Sequence, residues 1–229
     1  MAAFFEELLD GFLDAEFLRA VQKKFHYGEE QFQALAAVAE DMLPIMRREA
    51  FWTGRKTNSD HEARGDSTPI YEDVVMSLGK GIDELQEAYG DKGMLLESYM
   101  VETLASELLM SGYSAYNKCT AADGTWHVAR YHFLGSEDEF PLEMLPDLLK
   151  NLTDRVSCNS YYYMEPKKSV VFIAELTQDG AVQCEGICVG CSRADCFNRV
   201  EKDTHRRYLD RFAPDLPLTY GYSRIFGRF

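Results

Sequence analysis

The sequence predicts an α+β fold, in which a mostly antiparallel, twisted sheet is flanked by helices and preceded by a helical region. Three observations predict it. Helical periodicity dominates the first fifty residues, strand-like and helical segments then alternate irregularly, and an Asp-Gly turn follows an apolar, β-branched run at 169–176. This order lacks the regular strand–helix repeat that is typical of a parallel sheet.

The N-terminal region is predicted to be helical because its apolar residues recur close to every 3.6 positions. We expect Pro44 to kink or end the second of its helices, since proline lacks the N–H that a helix interior needs. Residues 52–69 lose this periodicity and are rich in turn-forming residues, which predicts a long loop. The chain is therefore divided into an N-terminal helical region, 1–65, and an α+β domain, 66–229.

The second region is predicted to mix strands and helices around one buried strand. SVVFIAEL is uninterrupted and β-branched, as a buried strand should be, and the Asp179-Gly180 turn predicts that AVQC returns as its hairpin partner. The other predicted elements are strands at 70–79 and 125–134 and helices at 80–89, 92–117, 141–152 and 203–212.

Composition excludes several classes of function. The 229 residues carry a formal net charge of −14, which is unsuited to a phosphate backbone, so no nucleic-acid partner is expected. No apolar run is long enough to span a membrane, and the N-terminus lacks the pattern of a signal peptide. These features predict a cytoplasmic protein with no membrane partner.

Four cysteines are crowded into the segment 184–196, which is called the cysteine loop below. Cys184, Cys188, Cys191 and Cys196 have the spacing C-x3-C-x2-C-x4-C, with glycines between them. In a reducing compartment such thiols are more often metal ligands than disulfides. Four thiolates suit either a [4Fe–4S] cluster or a structural Zn²⁺ ion, and the spacing alone does not separate the two. Two disulfides or four unrelated thiols are the alternatives.

An ordered set of segments resembles the reactivation domain of cobalamin-dependent methionine synthase, in the stand-alone, cysteine-rich form of anaerobic bacteria. The set covers roughly 70–200 and includes VVMSLGKGIDELQEAYGDKGMLLESYMVETLASELL, FPLEMLPDLLKNL, YYYMEPKKSVVFIAEL and the cysteine loop ending in D-C-F-N-R. Met164, Pro166, Ser169 and Val170 match the family's S-x-x-M-x-P-x-x-S-V block.

The resemblance implies a role in reactivating an oxidised corrinoid. In the long synthases this domain presents S-adenosylmethionine to the corrinoid, and a flavodoxin-like donor supplies an electron for reductive methylation. The implied partners are therefore a corrinoid protein or corrinoid-dependent methyltransferase, which carries the cobalamin, and an electron donor. A cluster on the cysteine loop could replace an external donor.

The family's ligand-binding loop, R-x-(A/S)-P-G-Y, is only partly present. Arg130 matches, but His132-Phe133-Leu134-Gly135 follow where the turn should be, so we expect S-adenosylmethionine to bind weakly or not at all. An ordinary ion pair at a strand end is the alternative role for Arg130. Glu102 and Glu107 lie where the family places an acidic ligand contact, although a solvated helix face also explains them.

Aromatic residues offer one more candidate for cofactor binding. Tyr162, between Tyr161 and Tyr163, could stack on an adenine or on the edge of a corrin ring. Ordinary packing of a strand is the alternative, and it predicts that the outer rings are buried and the middle ring is exposed.

Three functions follow from these observations. The first is a redox accessory protein with corrinoid-reactivating activity. The second is a non-catalytic docking module stapled by zinc, and the third is a methyl donor module that binds S-adenosylmethionine. A redox-active cluster separates the first from the second, and binding of S-adenosylmethionine identifies the third.

Overall fold

The N-terminal part of the computed structural model is helical, as the sequence predicts. Helix α1 spans Ala15–Lys24 and α2 spans Phe32–Glu49, with a 3₁₀ turn, Glu29–Gln31, just before α2. The structure describes residues 6, 8–58, 70–122, 124–182, 184 and 187–188.

Of the two effects predicted for Pro44, ending the helix is wrong, because α2 continues past the proline to Glu49. Met42 and Met46, on either side of the proline, are both fully buried. Their burial keeps the last turn in place and offsets the hydrogen bond that proline cannot donate.

The remaining elements follow in the expected mixed order. Strands β1 and β2 come first, then helices α3 and α4, strand β3, a 3₁₀ turn at Leu142–Met144 with helix α5, and finally three strands. Their bounds are β1 Phe51–Asn58, β2 Ile70–Ser77, α3 Lys80–Asp91, α4 Leu95–Ala121, β3 His127–His132, α5 Leu145–Leu152, β4 Ser157–Cys158, β5 Met164–Glu165 and β6 Ser169–Thr177.

The main sheet is four-stranded and antiparallel, with the strand order β1-β2-β6-β3, and helices flank it. The apolar run predicted as a buried strand is β6, which lies between β2 and β3 in the sheet. Strands β4 and β5 form a separate two-stranded hairpin. The structure thus confirms the α+β class and the antiparallel sheet.

Strand β1 corrects the prediction that a long loop begins at residue 52. Residues 51–58 form an edge strand beside β2, and only 59–69 of the predicted loop lie outside the described residues. The segment has no clear periodicity because an edge strand with partly exposed faces needs little apolar alternation. Its pairing with β2 supplies the order that the pattern does not.

The predicted return strand at 181–184 is also wrong for the residues that the structure describes there. The Oδ1 and carbonyl oxygens of Asp179 accept hydrogen bonds from the N–H groups of Ala181 and Val182, at 2.9 and 3.0 Å, which holds them in a turn. Strand β6 pairs antiparallel with β3 instead, with His132 opposite Ile173 and His127 opposite Thr177, and β2 lies on its other side. The predicted helix at 203–212 lies outside the described residues.

The chain forms two compact units, each with its own core. The first comprises residues 1–53, 75–115 and 149–170, and its core is mostly aliphatic, with Leu35, Met76 and Leu104 fully buried. Helices α1 and α2 pack together there, as do α2 and α3.

The second unit comprises residues 54–74, 116–148 and 171–229. Its core is aromatic, since the rings of Tyr116 and Tyr131 pack edge-on against Phe172, with ring centroids 5.2 and 5.4 Å away. Both candidate regions described next, the cysteine loop and Arg130, belong to this unit.

Candidate functional site

The cysteine loop begins a few residues beyond the end of β6. After the Asp179 turn, Cys184 and Cys188 are both half-buried thiols, and Ile187 between them is 7% exposed. Cys191 and Cys196 lie outside the described residues.

A metal centre of three or more ligands is not found within the described part of the chain. Only Cys184 and Cys188 of the four predicted ligands belong to that part, so the four-cysteine site stays a prediction. The donor set suits a soft metal or cluster, because all four side chains are thiols and Cys184 and Cys188 are only four residues apart in the sequence. Cys119 and Cys158 lie elsewhere in the fold, the first exposed and the second half-buried.

Arg130 lies on β3 in a group of charged side chains that the sequence analysis did not identify. This group, called the His132 cluster below, comprises Arg130, His132, Glu137 and Glu175. Arg130 stands opposite Glu175 in the pairing of β3 with β6, and its Nη2 atom lies 3.5 Å from Oε2 of Glu137. The Nε atom of Arg130 is buried and has no hydrogen-bond partner within the described residues.

His132 joins the two carboxylates of the cluster. Its Nδ1 atom lies 3.0 and 3.1 Å from the two carboxylate oxygens of Glu137, and its Nε2 atom lies 3.3 Å from Oε2 of Glu175. The imidazole belongs to a residue that is only 4% exposed. A neutral imidazole donates through one nitrogen only, whereas the protonated ring can donate to both glutamates.

Aromatic rings enclose the imidazole on its other sides. The ring centroid of Phe140 lies 4.7 Å from that of His132, and Tyr71 packs edge-on at 5.9 Å. Burial raises the pKa of Tyr71, and the negative charges of Glu175, Glu139 and Glu137 raise it further. The Tyr71 side chain that packs beside His132 is therefore uncharged at neutral pH.

Glu102 and Glu107, the two acidic candidates on α4, each have a separate lysine partner. Glu107 is buried and pairs with Lys24 of α1, so the solvated-face interpretation does not hold for it. Glu102 pairs with Lys168, which is itself only 6% exposed. Burial would raise the pKa of Glu102, but the hydrogen bond and the charge of Lys168 outweigh burial and lower it.

Tyr162 lies at the tip of the β4–β5 hairpin with a left-handed backbone conformation, φ 64°. The prediction that its neighbours are buried is wrong, because Tyr161 and Tyr163 are 78% and 72% exposed while Tyr162 is half-buried. Asn159 causes this arrangement, since its Oδ1 atom accepts hydrogen bonds from the N–H groups of both outer tyrosines. The three residues form a turn and not a strand.

Sequence reasoning found Arg130 but missed the other three members of the His132 cluster. The alternation of Arg130 and His132 along a predicted strand was an available signal, because residues two apart share one face. Glu175 could not be found in this way, since it lies 43 residues from His132 in the sequence.

Comparison with known proteins gives no independent identification. Neither the models of known protein families nor the curated proteins include a match to this chain. No helix among the described residues is long and apolar enough to cross a membrane.

Proposed function

We propose that this chain is an accessory protein for the reductive reactivation of a corrinoid methyltransferase system. In this proposal Cys184, Cys188, Cys191 and Cys196 hold an iron–sulfur cluster, and the cobalamin is carried by a partner protein. Such a cluster supplies single electrons at a potential tuned by its surroundings. The chain's own part is to hold the ligands, to bind the partner and to orient it.

The observation that carries the proposal is the four-cysteine spacing that follows the buried strand β6. Cys184 and Cys188 come after β6 through a turn that Asp179 fixes with two hydrogen bonds. A ligand loop attached to an inner strand of a sheet has a rigid base, which is what a metal centre needs in order to keep its geometry.

The resembling segments support the proposal because they coincide with consecutive elements of the fold. VVMS completes β2, the following segment covers α3 and the first part of α4, and SVVFIAEL is β6. Ser169, one of the residues of the resembling block, is buried and donates a hydrogen bond of 2.8 Å to Ser77 at the end of β2. This contact ties two of the resembling segments together.

The methyl donor alternative has less support than the redox function. Arg130, its candidate contact for the ligand carboxylate, already lies beside Glu137. The zinc-stapled docking module remains the second candidate, because four thiolates suit Zn²⁺ as well.

Anaerobic purification of the full chain tests the proposal. We expect a brown protein with broad visible absorbance, matching amounts of iron and acid-labile sulfide, and reduction of cob(II)alamin on an added corrinoid protein when a strong reductant is present. Replacing Cys188 with serine should abolish the colour and the electron transfer, because a cluster needs its thiolate ligands.

The matched control is Cys158→Ser, which removes an isolated, half-buried thiol of the β4–β5 hairpin. It should leave both properties unchanged. A colourless protein that contains one zinc ion would contradict the redox function and favour the docking module.

A further inference from the structure

The carboxylate of Glu137 occupies the position that an external anion would take between Arg130 and His132. One of its oxygens lies 3.5 Å from Nη2 of Arg130, and both lie within 3.1 Å of Nδ1 of His132. A single carboxylate thus bridges the guanidinium and imidazole groups of two residues that share one face of β3. Guanidinium and imidazolium groups are also the side chains that hold a free carboxylate.

The backbone around Glu137 holds this carboxylate in place. Residues 133–140 form a tight turn, in which the N–H of Gly135 donates to the carbonyl of Phe140 at 2.7 Å and the N–H of Phe140 donates to the carbonyl of Glu137 at 3.1 Å. Gly135 has φ 77°, a conformation that glycine adopts without strain. The turn therefore presents Glu137 to β3 at high local concentration.

The charges of the His132 cluster allow only one carboxylate, either that of Glu137 or an external one, between Arg130 and His132. Within the His132 cluster only Arg130 is permanently positive, whereas Glu137 and Glu175 both lie on His132. A third carboxylate at this position would stand beside two others, and like charges at such distances repel strongly. An external carboxylate can enter only when the side chain of Glu137 leaves.

The side chains that would receive such a ligand are within reach of solvent. The side chain of Arg130 is 38% exposed and that of Glu137 is 20% exposed, so rotation of one glutamate opens a path to the guanidinium. The buried Nε–H of Arg130, which has no partner among the described residues, is a further donor on the same group.

We propose that Glu137 is an internal, autoinhibitory occupant of a small-carboxylate site formed by Arg130 and His132. Binding of a small free carboxylate and the closed position of Glu137 are mutually exclusive. The inference goes beyond the proposed redox function, and it rests on the geometry of the cluster and not on the cysteine loop.

Acetate titration of the full-length Glu137→Ala variant tests this proposal. Melting temperature and isothermal calorimetry are the readouts, with sodium chloride used to match ionic strength. We expect acetate to bind this variant at least about tenfold more tightly than the wild type, since an internal carboxylate competes at an effective concentration in the millimolar range or above. Neutral acetamide, which has the same shape, should have no such effect.

Two further variants keep the test decisive. Asp138→Ala removes one negative charge from the adjacent position and should respond to acetate like the wild type. Arg130→Gln combined with Glu137→Ala should lose the acetate response. If circular dichroism shows that Glu137→Ala does not fold, Glu137→Gln is the substitute. Its neutral side chain keeps the volume but has no ion pair with Arg130, so acetate should displace it more easily than it displaces Glu137 and should bind more tightly than to the wild type.

The proposal is overturned if the folded Glu137 variant binds acetate no more tightly than the wild type. It is also overturned if the response survives the loss of Arg130. Neither result depends on the metal content of the protein, so failure here is distinguishable from failure of the proposed redox function.

Discussion

At the scale of single residues, two buried charged groups, Lys168 and Asp83, each have a polar partner from a distant part of the sequence. Lys168 pairs with Glu102, and Asp83 accepts a hydrogen bond of 2.7 Å from the N–H of Lys167. Burial raises the pKa of Asp83, although that hydrogen bond and the nearby lysines oppose the effect. Such groups hold segments in register, and a substitution at any one of them leaves its partner buried with one contact fewer.

Arg130 gives a prediction about the methyl donor. We expect S-adenosylmethionine to bind the metal-replete protein weakly or not at all, because the turn after Arg130 departs from the family pattern and Glu137 already lies beside the guanidinium. Isothermal calorimetry measures this directly. A micromolar dissociation constant that is lost in Arg130→Ala would show that the site binds this ligand after all.

Tyr27 gives a prediction about pH. Burial raises its pKa to about 12, against the opposing effect of its hydrogen bond with Thr103. An unfolded tyrosine ionises near pH 10. The contribution of neutral Tyr27 to the free energy of unfolding is therefore fully present below about pH 10 and is lost as pH rises toward about 12. We expect the wild type to lose about 1–2 kcal/mol more than Tyr27→Phe between about pH 9 and about pH 11.5.

Denaturant unfolding at the two pH values measures the difference. Tyr161→Phe is the matched control, because Tyr161 is 78% exposed and its removal should leave the pH dependence of the wild type. Equal losses in the wild type and in Tyr27→Phe would contradict the assignment to Tyr27.

At the scale of elements, α4 has partners on several sides. Its carboxylates reach α1 through Glu107 and the segment before β6 through Glu102, and the hydroxyl of Thr103 lies 2.9 Å from that of Tyr27. All of these contacts lie within the first unit. The helix therefore organises this unit through polar contacts as well as through its buried residues Met100 and Leu104.

The ion pair between Lys24 and Glu107 is predicted to matter more than the exposed pairs. Their side chains are 16% and 4% exposed, and removing one member of a buried pair leaves a charge in a poorly solvated place. We expect Lys24→Met to lower the free energy of unfolding by about 3 kcal/mol or more. Denaturant unfolding of the purified variant is the measurement.

The exposed pair of Lys80 and Glu84 supplies the control. These side chains are 78% and 62% exposed, so Lys80→Met should lower the free energy of unfolding by less than about 1 kcal/mol. The double variant Lys24→Met, Glu107→Leu should recover part of the loss, because it leaves no charge behind. An equally small loss of free energy of unfolding in Lys24→Met and Lys80→Met would show that burial does not make the Lys24 ion pair more important for stability.

At the scale of the whole molecule, charge is distributed unevenly along the sequence. The chain has a formal net charge of −14, yet seven arginines lie in its last forty residues, near the cysteine loop. They are Arg193, Arg199, Arg206, Arg207, Arg211, Arg224 and Arg228. This segment lies outside the described residues, so a basic docking surface for an acidic corrinoid partner is a prediction from sequence.

Electron transfer to a corrinoid protein should therefore depend on salt. We expect the rate to fall between low and moderate ionic strength, because screening weakens electrostatic steering. Reversing Arg206 and Arg207 to glutamate should lower it further at low salt, and stopped-flow absorbance of the corrinoid measures both effects. A rate that responds to neither change would assign these arginines to internal ion pairs with residues such as Asp203 and Asp210.

The sequence by itself determined the α+β class, most of the helices, the strand β6 and the cysteine spacing. These features depend on residues that are close together in the chain. Apolar residues at every fourth position predict α4, and an uninterrupted β-branched run predicts β6. Four thiols within thirteen residues indicate a shared ligand without any knowledge of the fold.

Only the tertiary structure decided which distant residues meet. The packing of the strands places β1 beside β2 and pairs β6 with β3. It also brings His132 into contact with Glu137 and Glu175. Exposure of Tyr161 and Tyr163 likewise follows from the turn that Asn159 holds, where the sequence predicted alternation. Periodicity in the sequence indicates which face of a helix or strand is apolar. Strand pairing and ion pairs depend on residues that are distant in the sequence and meet only when the chain folds.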